Sequence, residues 1–217
     1  MSDGMIFLLF KGVWETLVMT FVSGFFGFVI GLPIGVLLYV TRAGQIMENI
    51  TLYRILSALV NIGRSIPFII LLVWMIPFTR LIVGTSIGLQ AAIVPLTVGA
   101  APFIARMVEN ALLEIPPGLI EAARAMGATP LQIVKKILLP EAQLSLINAA
   151  TITLITLVGY SAMGGAVGAG GLGQIGYQYG YIGYNAPVMN TVLALLIVLV
   201  FLIQLGGDRL IIAVNHK

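Results

Sequence analysis

Residues 142–207 form an uninterrupted run of 66 residues without Asp, Glu, Lys or Arg, and this run constrains the fold more than any other feature. A soluble domain carries roughly 25% charged residues, whereas this chain of 217 residues is 9% charged and 59% apolar. Because so little charge cannot cover a water-exposed surface, the composition excludes a soluble globular enzyme and a disordered protein. The absence of Cys excludes a disulfide framework and a thiolate metal site. The sequence therefore indicates a single-domain membrane protein.

Five segments are apolar and long enough to cross a bilayer, which takes about 20 mostly apolar residues per helix. Their continuous content of Leu, Ile and Val favours helices over a β-barrel, so we predict an all-α integral membrane protein. A Gly- and Tyr-rich stretch at 164–185 divides the longest uncharged run into two spans. Within the second span, Ser65-Ile66-Pro67 is an alternative start of the helix. The predicted spans are 16–40, 57–79, 84–106, 143–163 and 187–206.

The basic residues predict how the spans are oriented. With five spans, eight basic residues fall on one side of the membrane and two on the other, with Arg64 at the edge of a span. Because positive charge concentrates on the cytoplasmic side, we predict an external N-terminus, a cytoplasmic C-terminus, a cytoplasmic segment at 107–142 and an external loop at 164–185. This bias accounts for the net charge of +3 without a nucleic-acid partner. The cytoplasmic group is Arg42, Arg54, Arg106, Arg124, Lys135, Lys136, Arg209 and Lys217.

Several kinds of chemistry find no support in the sequence. No Gly-Lys pair occurs, so the chain has no P-loop for ATP. The single His, His216, is expected to be a solvated tail residue rather than part of a metal site or a catalytic triad. Residues 168–173 fit G-x-G-x-x-G, but they follow a membrane span and the next acid is Asp208, so we predict no dinucleotide site. The span interiors lack carboxylates, which disfavours a self-powered, ion-coupled carrier.

The segment 107–142 carries the clearest pattern of polar and apolar residues. After Pro116-Pro117-Gly118, apolar and small residues recur at helical spacing, which predicts a short amphipathic helix. Glu121 and Arg124 are spaced for an i,i+3 ion pair on its polar side. Gly127 suits the left-handed residue that ends a helix, so we predict a tight elbow at this position.

A second short helix is predicted after the elbow. Thr129 and Gln132 have the spacing of a capping box, with Pro130 at the first helical position. The helix continues to Leu139-Pro140. Two short helices of this kind either lie on the bilayer surface or dock into a groove of a partner protein, and the pattern alone does not decide between these interpretations.

The same loop carries a resemblance to a known family. Its residues match the pattern E-A-A-x3-G-x9-I-x-L-P at every fixed position, through Glu121-Ala122-Ala123, Gly127, Ile137 and Leu139-Pro140. At average residue frequencies, chance gives such a match on the order of 10⁻⁸ times per start position. In this feature the chain resembles the permeases of bacterial ATP-binding-cassette (ABC) importers, in which the EAA loop is the coupling helix seated in a cleft of the ATPase subunit.

The resemblance extends over essentially the whole chain and is strongest to the permeases of methionine importers. It implies a type I ABC importer permease fold, with one domain over 1–217, a core at about 13–206 and a cytoplasmic coupling loop at 116–141. It further implies import of methionine across the inner membrane by alternating access, in a permease homodimer with two ATPase subunits and an external substrate-binding protein. ATP and Mg would be bound by the ATPase, so the chain itself would be no enzyme and would hold no cofactor or metal. The similar segments are 64–68, 101–106 and 167–173.

The resemblance also assigns roles to residues of the coupling loop. Glu121 is expected to meet polar or basic groups of the ATPase, or to cap the local helix, and Gly127 is expected to form the elbow. The residues that would bury against the ATPase, where small side chains allow close approach, are Leu119, Ala122, Ala123 and Met126.

The fourth span offers a candidate lining for the translocation pathway. Six of its residues step by three or four positions and therefore share one helical face. This face either lines a pathway along the axis of a dimer or forms hydrogen bonds between helices of the bundle. Met163 is the candidate gate on the first interpretation. The six residues are Ser145, Ala149, Thr153, Thr156, Tyr160 and Met163.

Other interpretations stay open. The chain would otherwise be a permease for another small amino acid or an osmolyte, or, against the EAA pattern, an ion-coupled secondary carrier or a non-transporting membrane scaffold. The segment 164–185 with its four Tyr residues contacts the binding protein, forms part of an external gate, or lies at the membrane interface. On the first span, glycines recur every four residues and predict close helix packing; they are Gly27, Gly31 and Gly35.

Overall fold

The computed structural model describes residues 3–215, so the predicted tail residue His216 lies outside the described residues. This part of the chain is helical and contains no β-strand. Two π-helical stretches, Val134–Leu138 and Gly176–Ile182, continue α7 and α10. The α-helices are α1 (Asp3–Thr41), α2 (Ile50–Ser65), α3 (Phe68–Trp74), α4 (Ile76–Val83), α5 (Leu89–Leu113), α6 (Pro117–Ala125), α7 (Pro130–Ile133), α8 (Leu139–Glu141), α9 (Gln143–Gly165), α10 (Gly171–Ile175) and α11 (Ala186–Val214).

Four helices, α1, α5, α9 and α11, are long and apolar enough to cross a membrane. α2 and α3 pass the same test only as a pair, bent relative to each other by 95°, and this pair is the fifth candidate span. These segments correspond in order to the five predicted spans. Three helices extend well beyond the predictions, since α1 begins at Asp3, α5 continues to Leu113 and α11 continues to Val214.

The second span differs from the predicted single helix over 57–79. α2 and α3 are separated by Ile66, which is extended (φ −78°, ψ 121°), and by Pro67. Proline has no N–H and keeps the residue before it out of helical geometry, so the helix stops at the predicted alternative start point. A further break at Met75 precedes α4, which carries Pro77 in its first turn.

The segment 164–185 is folded, so the prediction of a loop is wrong here. It contains α10 and the π-helical stretch that follows, and both pack against α11. Glycines permit the close approach, because a Cβ on Gly176 would lie 3.2 Å from Val192, and one on Gly180 would lie 3.0 Å from Met189. The segment is a short helical layer over one end of the bundle rather than an open connection.

α1 and α5 form the most extensive helix pair of the bundle, and the predicted small-residue packing is confirmed there. A Cβ on Gly31 would lie 2.7 Å from the carbonyl oxygen of Ala101, and one on Gly35 would lie 2.6 Å from Val108. Both glycines therefore allow backbones to touch. Because residue numbers increase together along the two helices, α1 and α5 run parallel. The glycines that face α5 are Gly27, Gly31 and Gly35.

Contacts among the other spans show which connections lie at the same end of the bundle. Ser145, at the start of α9, donates a hydrogen bond of 2.5 Å to Glu114, just after α5, so these two helices are antiparallel. A Cβ on Gly207 of α11 would overlap Thr151 of α9. Residues 42–49, residues 114–142 and the C-terminal end of α11 therefore share one end. The basic residues of these segments are Arg42, Arg124, Lys135, Lys136 and Arg209.

A polar cluster ties α2 to α5. Arg106 forms an ion pair with Glu109, whose side chain is 1% exposed. The guanidinium of Arg106 also donates to Ser57 at 3.0 Å and to Asn61 at 2.8 Å. A buried carboxylate requires such a cationic partner, so the cluster fixes the position of α2 beside α5.

Candidate coupling loop and translocation face

α6 ends at Ala125, and Gly127 follows it in the conformation that the sequence predicts. Gly127 has a φ of +79°, which is the left-handed region that favours glycine. Its N–H donates to the carbonyl of Arg124 at 2.9 Å, and the N–H of Ala128 donates to the carbonyl of Ala123 at 3.0 Å. This pair of bonds is a Schellman motif, which satisfies the last carbonyls of the helix. The predicted helix end and elbow are confirmed.

The predicted capping box at the start of the second helix is confirmed as well. The N–H of Gln132 donates to Thr129 Oγ1 at 3.4 Å, and the N–H of Thr129 donates to Gln132 Oε1 at 2.8 Å. The helix then widens into the π-helical stretch Val134–Leu138, directly before Pro140. Wider turns accommodate proline, because its ring clashes with the carbonyl four residues earlier in an α-helix.

Only part of the predicted ATPase-facing set lies on the surface of α6. Leu119, Ala122 and Met126 are exposed, with Met126 at 81%. Ala123, by contrast, is 1% exposed and packs in the core of the chain itself, together with Ile120. In this conformation Ala123 offers no surface to a partner, which differs from its predicted position. Ile120 was not predicted, although its spacing of three from Ala123 marks a shared inner face.

Glu121 and Arg124 are exposed on α6 but do not form the predicted i,i+3 ion pair. None of the ion pairs within residues 3–215 joins them. Both residues instead line a cavity of 240 Å³ together with Tyr39 of α1 and Gln45 of the connection after α1. The carboxylate of Glu121 and the guanidinium of Arg124 are therefore available to solvent or to a group outside the chain.

The predicted pathway face of α9 divides into two parts. Met163 is 50% exposed and Thr156 is half-buried on the outer side, whereas Thr153 is 1% exposed and Tyr160 turns toward α3. The hydroxyls of Thr153 and Thr156 donate to the carbonyls four residues earlier in α9, at 2.7 and 2.8 Å. Both hydroxyls are thus satisfied within their own helix and make no hydrogen bond to a neighbouring span.

Tyr160 stacks on Phe68 of α3, with ring centroids 4.4 Å apart and planes 1° from parallel. The pair connects α9 to the broken second span. Phe68 is buried. No role was predicted for it, although it ends the segment 64–68 that carries part of the resemblance.

An exposed stripe runs along the outer side of α9. Asn148, Ile152 and Gly159 lie on it with Met163, each four or seven positions from the next. A polar side chain such as Asn148 is unfavourable against lipid, so the stripe is expected to face protein or water at this position. Asn148 was not predicted to lie there, and the available signal was its position one helical turn before Ile152.

The G-x-G-x-x-G segment, residues 168–173, is held against the first span by hydrogen bonds. Glu15 Oε2 accepts a hydrogen bond from the N–H of Gly171 at 2.7 Å, and Thr16 Oγ1 accepts one from Leu172 at 3.0 Å. Gly170 has a φ of +90°, and a Cβ there would lie 2.9 Å from the Glu15 carboxylate. The glycines therefore serve helix docking. Within residues 3–215, no group of three or more His, Cys, Asp or Glu is arranged to hold a metal ion.

Comparisons with known proteins agree with this architecture. Residues 31–216 match the family described as binding-protein-dependent transport system inner membrane component. The chain is 86% identical to the D-methionine transport system permease protein MetI of Salmonella typhimurium and 82% identical to that of Escherichia coli, in both cases over 217 residues and the full length of each chain. It is also similar to a solved structure of the MetNI methionine ABC transporter in an inward-facing conformation, with a TM-score of 0.98, 82% identity and full coverage of both chains.

The match to this solved structure confirms the predicted fold class, an all-α type I ABC importer permease with five spans. The family match covers most of the chain, including the second span, the segment 116–141 and the stripe on α9. The chain belongs to the family of binding-protein-dependent transport system inner membrane components.

Proposed function

We propose that the chain is the permease subunit of an ATP-driven methionine importer in the bacterial inner membrane. It would act as a homodimer, with two ATPase subunits and an external substrate-binding protein. The observation that carries the proposal is the identity of 86% and 82%, over the whole length, to two D-methionine transport permeases. The TM-score of 0.98 to a methionine ABC transporter supports it.

We assign the exposed surface of α6 to the ATPase. Leu119, Ala122 and Met126 provide apolar contacts and Glu121 a polar one. Exposed apolar side chains at a charged end of the bundle favour a protein partner over lipid. On the opposite face of α6, Ile120 is buried in the core of the chain, so a force applied to the helix is passed to the spans beneath it.

The orientation in the proposal follows from the basic residues. The end of the bundle that holds α6, α7 and α8 also holds Arg124, Lys135 and Lys136, and positive charge concentrates on the cytoplasmic side. The N-terminus is then external and the C-terminus cytoplasmic. The opposite, external end presents four exposed tyrosines to the binding protein; they are Tyr177, Tyr179, Tyr181 and Tyr184.

The stripe on α9 is the candidate pathway lining. Five spans hardly enclose a channel by themselves, so two copies related by a two-fold axis would line the pathway between them. Met163 is the candidate gate, since it is large, adaptable and half exposed on this stripe. Thr156 flanks the stripe, and Thr153 and Tyr160 support it from behind.

ATP and Mg are bound by the ATPase in this proposal, and the permease makes no covalent change in its substrate. ATP binding closes the ATPase dimer, and α6 follows the surface on which it sits. The two permease copies then rock between inward-open and outward-open states, with the elbow at Gly127 keeping α6 at a defined angle.

Uptake by proteoliposomes tests the proposal. Vesicles that contain the permease with its ATPase should take up labelled methionine when they receive ATP and the loaded binding protein. An ATPase whose P-loop Lys is replaced serves as the control and should support no uptake. Uptake driven by an ion gradient without the ATPase would refute the proposal, and stronger competition by another amino acid or an osmolyte would refute methionine as the substrate.

A further inference from the structure

Arg64 lies at the depth of the membrane-spanning part of the bundle and is exposed on the surface of the single chain. Its neighbour Gly63 packs against α5, where a Cβ would lie 2.8 Å from Pro102. Pro102 is 11 residues from the end of α5 at Leu113, and a helix rises 1.5 Å per residue, so Arg64 is about 16 Å from that end. A charged side chain at such a depth marks a functional site by default.

A cavity of 120 Å³ adjoins Arg64. This volume corresponds to roughly four water molecules, which is enough for a carboxylate and the carbons next to it. Arg64 adds a cationic group to its lining, and the stacked rings of Phe68 and Tyr160 add an aromatic surface. The lining residues include Gly63, Arg64, Phe68, Gly99, Phe103 and Tyr160.

Arg64 has no carboxylate partner within residues 3–215. The ion pairs formed there join Lys11 to Glu15 and Arg106 to Glu109. The second of these lies one turn further along α5, so the nearby buried carboxylate is already neutralised by its own arginine. A guanidinium binds most strongly to a carboxylate that accepts two of its hydrogen bonds. No carboxylate of the described residues pairs with Arg64 in this way.

We propose that this cavity is a substrate site of the permease, in which Arg64 binds the α-carboxylate of an apolar amino acid. The side chain of the amino acid packs on the ring pair of Phe68 and Tyr160. The site rests on the proposed import of an amino acid and adds the group that recognises it. Because Tyr160 belongs to α9 and Phe68 follows the break at Pro67, the site joins two elements that move when the bundle rocks.

Binding of labelled methionine to the purified permease–ATPase complex, without the binding protein, tests the site. Arg64→Gln should weaken this binding roughly ten-fold or more, since a charge-assisted pair of hydrogen bonds is lost, and Arg64→Lys should restore part of it. Arg80→Gln is the matched control, because Arg80 is exposed like Arg64 but lies on α4, outside the cavity. Methionine bound by the ATPase alone is measured in parallel and subtracted, so that the roughly ten-fold effect refers to the permease.

Competition with the amide of methionine, which lacks the carboxylate, separates carboxylate recognition from apolar packing. Methionine should compete with the label, and methioninamide should compete at least about ten-fold more weakly. Equal binding by Arg64→Gln and the unchanged protein, or equal competition by the amide, would overturn the site while leaving methionine uptake intact. Loss of ATP-driven methionine uptake by the unchanged protein would instead refute the proposed function itself. Size-exclusion profiles of the variant complexes report whether each variant assembles.

Discussion

Replacement of Gly127 by Ala tests whether the elbow of the coupling loop transmits work. Gly127 has a φ of +79°, and a Cβ on it would meet no atom within 4 Å, so the cost of the substitution is backbone strain and not steric overlap. An L-residue in this conformation costs about 1–2 kcal/mol. Such an energy lowers the population of the closed elbow by roughly 5–30-fold relative to an opened one.

Gly118 provides the matched control in the same loop. A Cβ on Gly118 also meets nothing within 4 Å, but its φ is not left-handed. Because it lies in the first turn of α6, Gly118→Ala should be neutral or stabilise the helix by about 0.5–1 kcal/mol.

The assay compares ATP hydrolysis and methionine uptake in the same proteoliposomes. Gly127→Ala should lower the number of methionine molecules imported per ATP, and Gly127→Leu should lower it further, while both variants still insert and bind the ATPase. Gly118→Ala should leave this ratio unchanged. An unchanged ratio in Gly127→Leu would refute the argument that the elbow angle couples the two subunits.

Three further substitutions follow from the packing. Gly31→Leu should destabilise the permease by about 1–3 kcal/mol through overpacking against α5, which would lower its thermal midpoint in detergent. Gly206→Leu is the control and should leave the midpoint unchanged, because Gly206 has open space around it. Equal midpoints of the two variants would contradict the α1–α5 packing. Glu109→Ala leaves Arg106 without its carboxylate partner and should lower the free energy of unfolding by about 3–5 kcal/mol, measured by thermal unfolding. A change below about 1 kcal/mol would contradict the stabilising role of this ion pair. Met126→Asp should abolish co-purification with the ATPase without affecting insertion, and retained co-purification would exclude this residue from the interface.

Local signals in the sequence were sufficient for the coupling loop. The helix end at Gly127 and the capping box of Thr129 and Gln132 depend on residues close to one another in the chain, so their spacing predicts their hydrogen bonds. Hydropathy likewise located the spans, because burial in lipid depends on composition over about 20 residues.

Features that depend on three-dimensional neighbours could not be predicted in this way. Pro67 lies in an apolar run, and hydropathy does not show in which direction the helix continues after the proline. The bend of 95° between α2 and α3 therefore could not be predicted. The inward turn of Thr153 and Tyr160 was missed because a spacing of three or four spreads residues over a wide arc of the helix. The stacking of Tyr160 on Phe68 determines which edge of this arc faces α3.

The hydrogen bonds from α10 to Glu15 and Thr16 have a consequence for the order in which the chain assembles. Donor and acceptor are 156 residues apart in both bonds, so the first span is synthesised long before the groups that it will bind. Until α10 arrives, the carboxylate of Glu15 has Lys11 of its own helix as its partner, and its remaining hydrogen bonds must be made to water at the membrane surface. Closure of this contact is therefore a late step in biogenesis, and it joins the first part of the chain to the last loop before the final span.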